Sequence, residues 1–376
     1  MTTDELLMES VDSARMREQS AIDGPLGAAK GKVVLYGAGK IGRKVAAALC
    51  CVGIEPLAFA DNDPSLNGTL VEGIPVLAPA VAAQRWGGEA LFVVTTFLPT
   101  GGGMAARMAE ISGLGCTRIT NFLLVGWKYS GILPHFAAAR PSELLRNAHA
   151  LAKVGTLWAD DLSRDTYRIA LEWRLHGRFA PAGQPVPDQY FPRDILRPIQ
   201  HEVFVDGGAY NGDTLRAAHW PLAKVLAIEP DPANASLLRA TMGKNIQLVE
   251  VLLGSSAGSA RFAGNGTMAS SRSDIGNLEI PVTTLDELTK EEHPTFVKLD
   301  VEGDELAALR GGLGMLKREK PVLAVCVYHR PEDIWMLPLF LKESLPDHAM
   351  YLRAHAWDGF ELVAYAVPLS RCQAPK

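Results

Sequence analysis

Three glycines, Gly207, Gly208 and Gly212, punctuate the run FVDGGAYNGDT at positions 204–214, between an apolar stretch of strand character and one with helical spacing. Glycine at such a place lets a strand turn sharply into a helix and lets the main chain approach a bound molecule. Glu229 follows Gly208 by 21 residues, at the end of the next apolar run. A carboxylate there accepts hydrogen bonds from two ribose hydroxyls. Turns of this kind hold dinucleotides and S-adenosylmethionine alike. Here the spacing is not GxGxxG, and Asp206 and Asp213 flank the turn. That acidic setting repels a pyrophosphate and suits the ammonium end of a methionine moiety. The plainer alternative is a Gly/Asp loop that holds no ligand.

A second glycine turn lies upstream. Gly37, Gly39 and Gly42 form GAGKIG after the apolar run 32–36, and Asp61 follows Gly42 by 19 residues at the end of another apolar run. This context meets the sequence conditions for a dinucleotide site, with phosphate on the helix N-terminus and Asp61 on a ribose or sugar hydroxyl. An NAD-dependent oxidoreductase is therefore the alternative reading of the chain. Against it, the region spans only about 100 residues, near the low end for a full domain, and contains no hydride-transfer constellation.

The elements that must position these residues fall into two series. The first reads as strands over 32–36, 55–60, 91–95 and 117–121 with a helix over 40–51, a small parallel sheet. From 141 to 198 the periodicity is helical over 144–151 and 165–175, then Pro/Gly-rich. The second series alternates strands at 203–206, 224–229, 246–253, 295–300 and 322–328 with helices, the pattern of a parallel sheet with right-handed crossovers. Runs 351–356 and 360–367 flank Trp357-Asp358-Gly359, a hairpin signal that adds an antiparallel edge. The expectation is an α/β protein of two Rossmann-like units, the C-terminal one doubly wound. Its domains are a flexible or helical extension (1–30), a nucleotide-binding-type domain (31–135), a helical connector (136–199) and a C-terminal domain (200–376).

Residues from about 160 to 368 resemble the FkbM family of S-adenosylmethionine-dependent methyltransferases. The resemblance rests on FVDGGAYNGDT (204–214), AIEPDPANASLL (227–238), LGSSAGSARF (253–262), PVTTLDEL (281–288), VKLDVEGDELAALRGG (297–312) and VYHRPEDIW (327–335), in that order. It implies a Rossmann-like methyltransferase fold and O-methylation of a hydroxyl on a sugar or natural product, as in polysaccharide or glycolipid biosynthesis. It further implies that Asp206, Gly207, Gly208, Ala209, Tyr210, Gly212, Asp213 and Thr214 form the cofactor loop, with Glu229 on the ribose and Asp231 at the adenosine rim. Ser255, Ser256 and Ala257 either touch the adenine or form an ordinary polar loop. Upstream, FADNDP (59–64), Gly68 and GIPV (73–76) resemble the N-terminal Rossmann-like domains of sugar-modifying enzymes and of acyltransferases of polysaccharide assembly. That implies a nucleotide or nucleotide-sugar ligand; the alternative is a scaffold that docks on the catalytic domain or a partner.

Methyl transfer is an in-line displacement, and an alcohol is a poor nucleophile until a base or cation takes up its proton charge. Asp300, Glu302 and Glu305 stand at and just beyond a strand end, which aims Asp300 into the crevice. His329 ends the next strand, and its reference pKa of about 6.5 suits proton acceptance near neutrality. It is the preferred base, with a structural or substrate-orienting role as the alternative. Asp300 with Asp333 or His355 offers oxygen and nitrogen donors for Mg2+. Tyr190 and Phe191 either lid the acceptor pocket or pack in the core.

Bulk properties narrow the rest. A chain of 376 residues is long enough for two cores. A net charge of -5 gives no general attraction to nucleic acid or anionic lipid. Cys50, Cys51, Cys116, Cys326 and Cys372 form no CxxC pair and no zinc spacing, which fits a reduced, cytoplasmic setting. The N-terminus lacks a signal-peptide core, and no apolar run approaches the ~20 residues that span a bilayer. The expected partner is a small-molecule or carbohydrate acceptor. Whether the chain forms a homo-oligomer stays open.

Overall fold

Runs of consecutive apolar residues suit strands covered on both faces, and in the computed structural model they build two parallel sheets. The structure describes residues 2–129, 139–179, 185–240, 242–264, 266, 271–272 and 276–373. By contacts the chain divides into a first unit (Met1–Ala152, Tyr167–Gln184 and Ala356–Phe360) and a second unit (Lys153–Thr166, Pro185–His355 and Glu361–Lys376). The connector expected at 136–199 is thus shared between the two. Its Pro/Gly-rich run 180–184 lies outside the described residues.

The first unit holds β1 (Val33–Tyr36), β2 (Ala58–Ala60), β3 (Leu70–Val71), β4 (Ile74–Leu77), β5 (Leu91–Val94) and β6 (Ile119–Asn121) in the order β3-β4-β2-β1-β5-β6. All but β3 run parallel. The tetrads VVLY and LFVV are wholly buried at the centre. The order reverses between β1 and β5, which opens a crevice at their carboxyl ends. The short β3–β4 hairpin was not expected; Glu72 and Gly73, both at positive φ, make its two-residue turn. The N-terminal extension is helical over Thr3–Leu6, Val11–Gln19 and Asp23–Ala28. Buried Glu18 accepts hydrogen bonds from the Ser142 amide and hydroxyl at 2.5 and 3.0 Å.

The second unit holds β7 (Glu202–Gly207), β8 (Leu222–Ile228), β9 (Ile246–Val249), β10 (Leu252–Leu253), β11 (Gly258–Ala263), β12 (Ser271–Arg272), β13 (Leu278–Thr283), β14 (Phe296–Leu299), β15 (Val322–Cys326), β16 (His348–Ala354) and β17 (Leu362–Pro368). Its main sheet has the order β16-β17-β15-β14-β7-β8-β9. Strands β9, β8, β7, β14 and β15 are parallel, and β17 pairs antiparallel with both β15 and β16. The hairpin is where it was expected, with a longer loop, 355–361, between its arms. The strand expected over 246–253 is corrected: it splits at Glu250 and Val251 into β9 of the main sheet and β10 of a separate sheet, β10-β13-β11-β12. Here too the order reverses next to β7, between β7 and β14, so the carboxyl ends of these two strands form the crevice. Among the described residues no helix is long and apolar enough to cross a membrane.

Candidate active site

The turn after β7 has little freedom. A Cβ on Gly208, which sits at φ 79°, would run into the Asp300 carbonyl oxygen at the end of β14. Gly207 faces Leu299 and Leu253, and Gly212, at φ 83°, caps the helix Asp213–Ala217 in the left-handed region. Glycine is therefore required by packing against β14 and by backbone conformation. Tyr210, also at positive φ (46°), directs its amide to Glu229 Oε2 at 2.8 Å. Glu229 Oε1 accepts the Asp231 amide at 2.9 Å. Asp231 in turn caps the helix Pro232–Arg239 by accepting from Ala233 at 2.8 Å and also accepts the Gly266 amide at 2.9 Å. Burial pushes the Glu229 carboxyl upward, against the pull of these amides and of Asn234. The two amides take one contact on each carboxylate oxygen and fix the side chain beside the turn.

Asp206 does not present a free charge to the crevice. The register places Lys298 directly opposite it, and Lys298 Nζ lies 3.1 Å from Asp206 Oδ1 and donates to the Gly208 carbonyl at 2.6 Å. Burial lifts Asp206 to about 6 despite Lys298, while Asp206 and Asp300 hold Lys298 above its ordinary value. Both are charged at neutral pH. The acidity expected of the turn is thus neutralised from below. Asp213 is exposed, its carboxylate accepting the Thr214 amide at 2.9 Å, while Ala209 and Thr214 are buried. Ser255 and Ser256 are exposed in the turn between β10 and β11.

Four ionisable side chains converge at the carboxyl ends of β14 and β15. His329 Nδ1 lies 2.8 Å from Glu305 Oε1, and Nε2 faces Asp300 Oδ1 at 3.3 Å and Glu302 Oε1 at 3.7 Å. Glu305, fully buried, also accepts the Val301 and Gly303 amides at 2.9 and 3.3 Å, which fixes the loop bearing Glu302 at φ 53°. Burial disfavours the imidazolium, but Glu305, Asp300 and Glu302 outweigh it and raise His329 to about 10. The three carboxylates thus favour the protonated imidazole, the opposite of what the ordinary value suggested for a base. Burial raises Glu302 to about 7. Burial acts on Asp300 too, yet Lys298, His329 and the Tyr190 hydroxyl, which donates to Oδ2 at 2.7 Å, keep it below its ordinary value. Asp300 and Glu302, side by side, are thus shifted in opposite directions.

The expected metal donors do not assemble as expected. Asp333 accepts the Arg330 amide at 2.7 Å, and His355 is engaged by the Val186 carbonyl and the Tyr365 hydroxyl at 2.8 and 2.7 Å. Asp300, Glu302 and His329 instead bring one ligand atom each within 4.8 Å of one another. Tyr190 and Phe191 divide their roles. Tyr190 orients Asp300 and lies under the Lys298 ammonium, 5.0 Å from the ring centre, whereas Phe191 packs against Phe204, Trp220 and Phe296. Sequence reading gave no role to Lys298. A lysine inside the apolar strand FVKL needs a buried anion, and that was the available signal.

In the first unit Gly37, at φ 112°, lies where a Cβ would meet the Thr96 hydroxyl at 2.5 Å, and a Cβ on Gly42 would strike the Gly37 carbonyl. Gly39 has open space around it. Asp61 accepts the Ala38 and Asp63 amides at 2.7 and 2.8 Å. Its carboxylate braces the glycine turn, as Glu229 does in the second unit.

Comparison with known proteins follows this geometry. No curated protein matches the chain. A crystal structure of methyltransferase FkbM from Methylobacillus flagellatus KT is similar, with a TM-score of 0.77 and 20% sequence identity, covering 97% of this chain and 99% of that one. At that identity the likeness shows a shared α/β fold. Residues 206–356, which contain the glycine turn and the acidic cluster, match the family model for the methyltransferase FkbM domain. Residues 206–356, in the C-terminal half of the chain, are thus similar to a methyltransferase FkbM domain, and the fold is shared with a methyltransferase of that name.

Proposed function

We propose that the protein transfers a methyl group from S-adenosylmethionine to a hydroxyl oxygen of a sugar, in polysaccharide, glycolipid or natural-product biosynthesis. The observation that carries the reading is the contact of two devices at the β7/β14 crevice: a glycine turn braced by Glu229, and the cluster of Asp300 and Glu302 around His329. The sugar acceptor rests on the family resemblance.

The residues present fit the cofactor. Gly208 and Gly212 keep side chains out of the turn, and Glu229 retains accepting capacity beside it. Once bound, S-adenosylmethionine supplies an electrophilic methyl carbon on a sulfonium centre. Asp300, fixed by Tyr190, receives the hydrogen bond of the acceptor hydroxyl and orients its lone pair. Glu302 takes the hydroxyl proton as the C–O bond forms. Lys298 and His329, the latter paired with Glu305, favour the ionised form of Asp300. This exchanges the base role from His329 to Glu302.

The test is methyl transfer to a panel of sugars, with calorimetric binding of S-adenosylmethionine and S-adenosylhomocysteine measured in parallel. Glu229→Ala is expected to abolish binding with the fold intact, and Glu302→Gln to preserve binding and abolish turnover. Wild-type turnover by Glu302→Gln overturns the assignment of the base. Failure of the folded wild type to bind either compound overturns the reading.

A second reading concerns the same cluster. The three donor atoms of Asp300, Glu302 and His329 suit a divalent cation such as Mg2+ that takes the place of the imidazolium proton. Chelator-sensitive turnover restored by added Mg2+ supports it; full turnover after exhaustive chelation removes it.

A further inference from the structure

The glycine turn of the first unit has no part in the chemistry above, and it opens on a cavity of about 830 Å³. That volume lies in the range of sites that enclose a nucleotide-sized molecule. All its lining residues belong to the first unit, and it sits at the β1/β5 crossing point where the strand order reverses. We infer that this cavity binds a nucleoside diphosphate or an ester of one.

The lining of the cavity carries two kinds of chemistry. Lys40, Lys44 and Arg107 supply positive charge. Arg107 is balanced by Glu110 at 3.1 Å, but neither lysine makes an ion pair or hydrogen bond among the described residues. The acid nearby, Asp61, spends both carboxylate oxygens on backbone amides, so it does not close off the lysines. The helix Lys40–Cys51 begins at Gly39, and its dipole adds to the lysine charge. Phe97, Leu98, Pro99 and Phe360 supply an apolar part of the lining, with the Phe97 and Phe360 rings 4.7 Å apart. A molecule that carries charged phosphates and a flat, apolar-faced ring matches both kinds of lining; inorganic phosphate matches only the first.

Gly39 allows a decisive variant. A Cβ there meets nothing within 4 Å and the residue has negative φ, so Gly39→Asp folds without strain. Aspartate is also a preferred helix cap, so the change is expected to leave the melting temperature unchanged or raise it. It places a negative charge where a phosphate would lie. The experiment is calorimetry on the full chain, saturated with S-adenosylhomocysteine to occupy the second unit, titrated with ADP, UDP, GDP, NAD+ and inorganic phosphate in turn. The expected result is saturable binding of at least one of ADP, UDP and GDP, weakened at least ten-fold by Lys40→Glu/Lys44→Glu and lost in Gly39→Asp. Binding of none of the five overturns the inference. So does inorganic phosphate binding as tightly as the diphosphates, binding of NAD+ alone, or binding that neither variant alters.

Discussion

Glu302 and His329 stand 3.7 Å apart and trade the roles that their ordinary chemistry would assign. With Glu302 at about 7, turnover is expected to rise with pH and level off above an apparent pKa near 7, because the base must be deprotonated; Glu302→Gln removes this limb and lowers kcat about 10²–10⁴-fold with little change in cofactor affinity. A pH–rate profile of both proteins measures it. His329 carries a stability consequence of opposite sense. Its folded value of about 10 lies above an unfolded value of about 6.5, so its ion pairing stabilises fully below about 6.5 and is lost as pH rises through 10. Thermal melts between pH 7 and 10.5 should show a fall that His329→Gln, already destabilised by about 3–5 kcal/mol through the uncompensated Glu305, lacks. Neither value was legible in the sequence. The motifs located Asp300, Glu302, Glu305 and His329, but a pKa depends on burial and on distances across two strand ends, which spacing does not encode.

At the scale of elements, the β7–β14 pair is the rigid part of the site. Lys298 and Asp206 are register partners, and Gly208 lies on the carbonyl of Asp300. Gly208→Ala is therefore expected to push the turn off β14, destabilising the protein by more than about 2 kcal/mol and abolishing cofactor binding, whereas Gly39→Ala in the first unit leaves stability near wild type; chemical denaturation of the two compares them directly. The parallel strands were legible because VLAI and VLAVC are continuous apolar runs set between turns, and FVDG and FVKL are interrupted by only one charged residue each. The sheet of β10 to β13 was not. Its strands GSARFA and LEIPVT are half exposed and weakly apolar, and β10 has two residues, too few to show a period.

For the whole molecule, the boundary read at residue 200 is the least legible feature, because aromatic packing of Phe191 and buried polar pairs both cross it. Buried Arg353 of β16 pairs with Asp160 and Asp194, and the Leu352 amide donates to Ser163 at 2.9 Å, all within the second unit. A fragment 200–376 leaves Arg353 without either carboxylate, a cost of about 3–5 kcal/mol, and is expected to be insoluble or to melt well below the intact chain, as circular dichroism on heating would show. The loop Ala356–Phe360, between β16 and β17, adds a further condition. It is counted with the first unit although the strands on either side of it belong to the second, and its Asp358 accepts the Met104 amide at 2.6 Å. No single cut in the gene separates the two units, since each claims residues on the far side of the other. A cut that delivered the C-terminal half alone would carry Ala356–Phe360 away with it, five residues taken from the unit left behind.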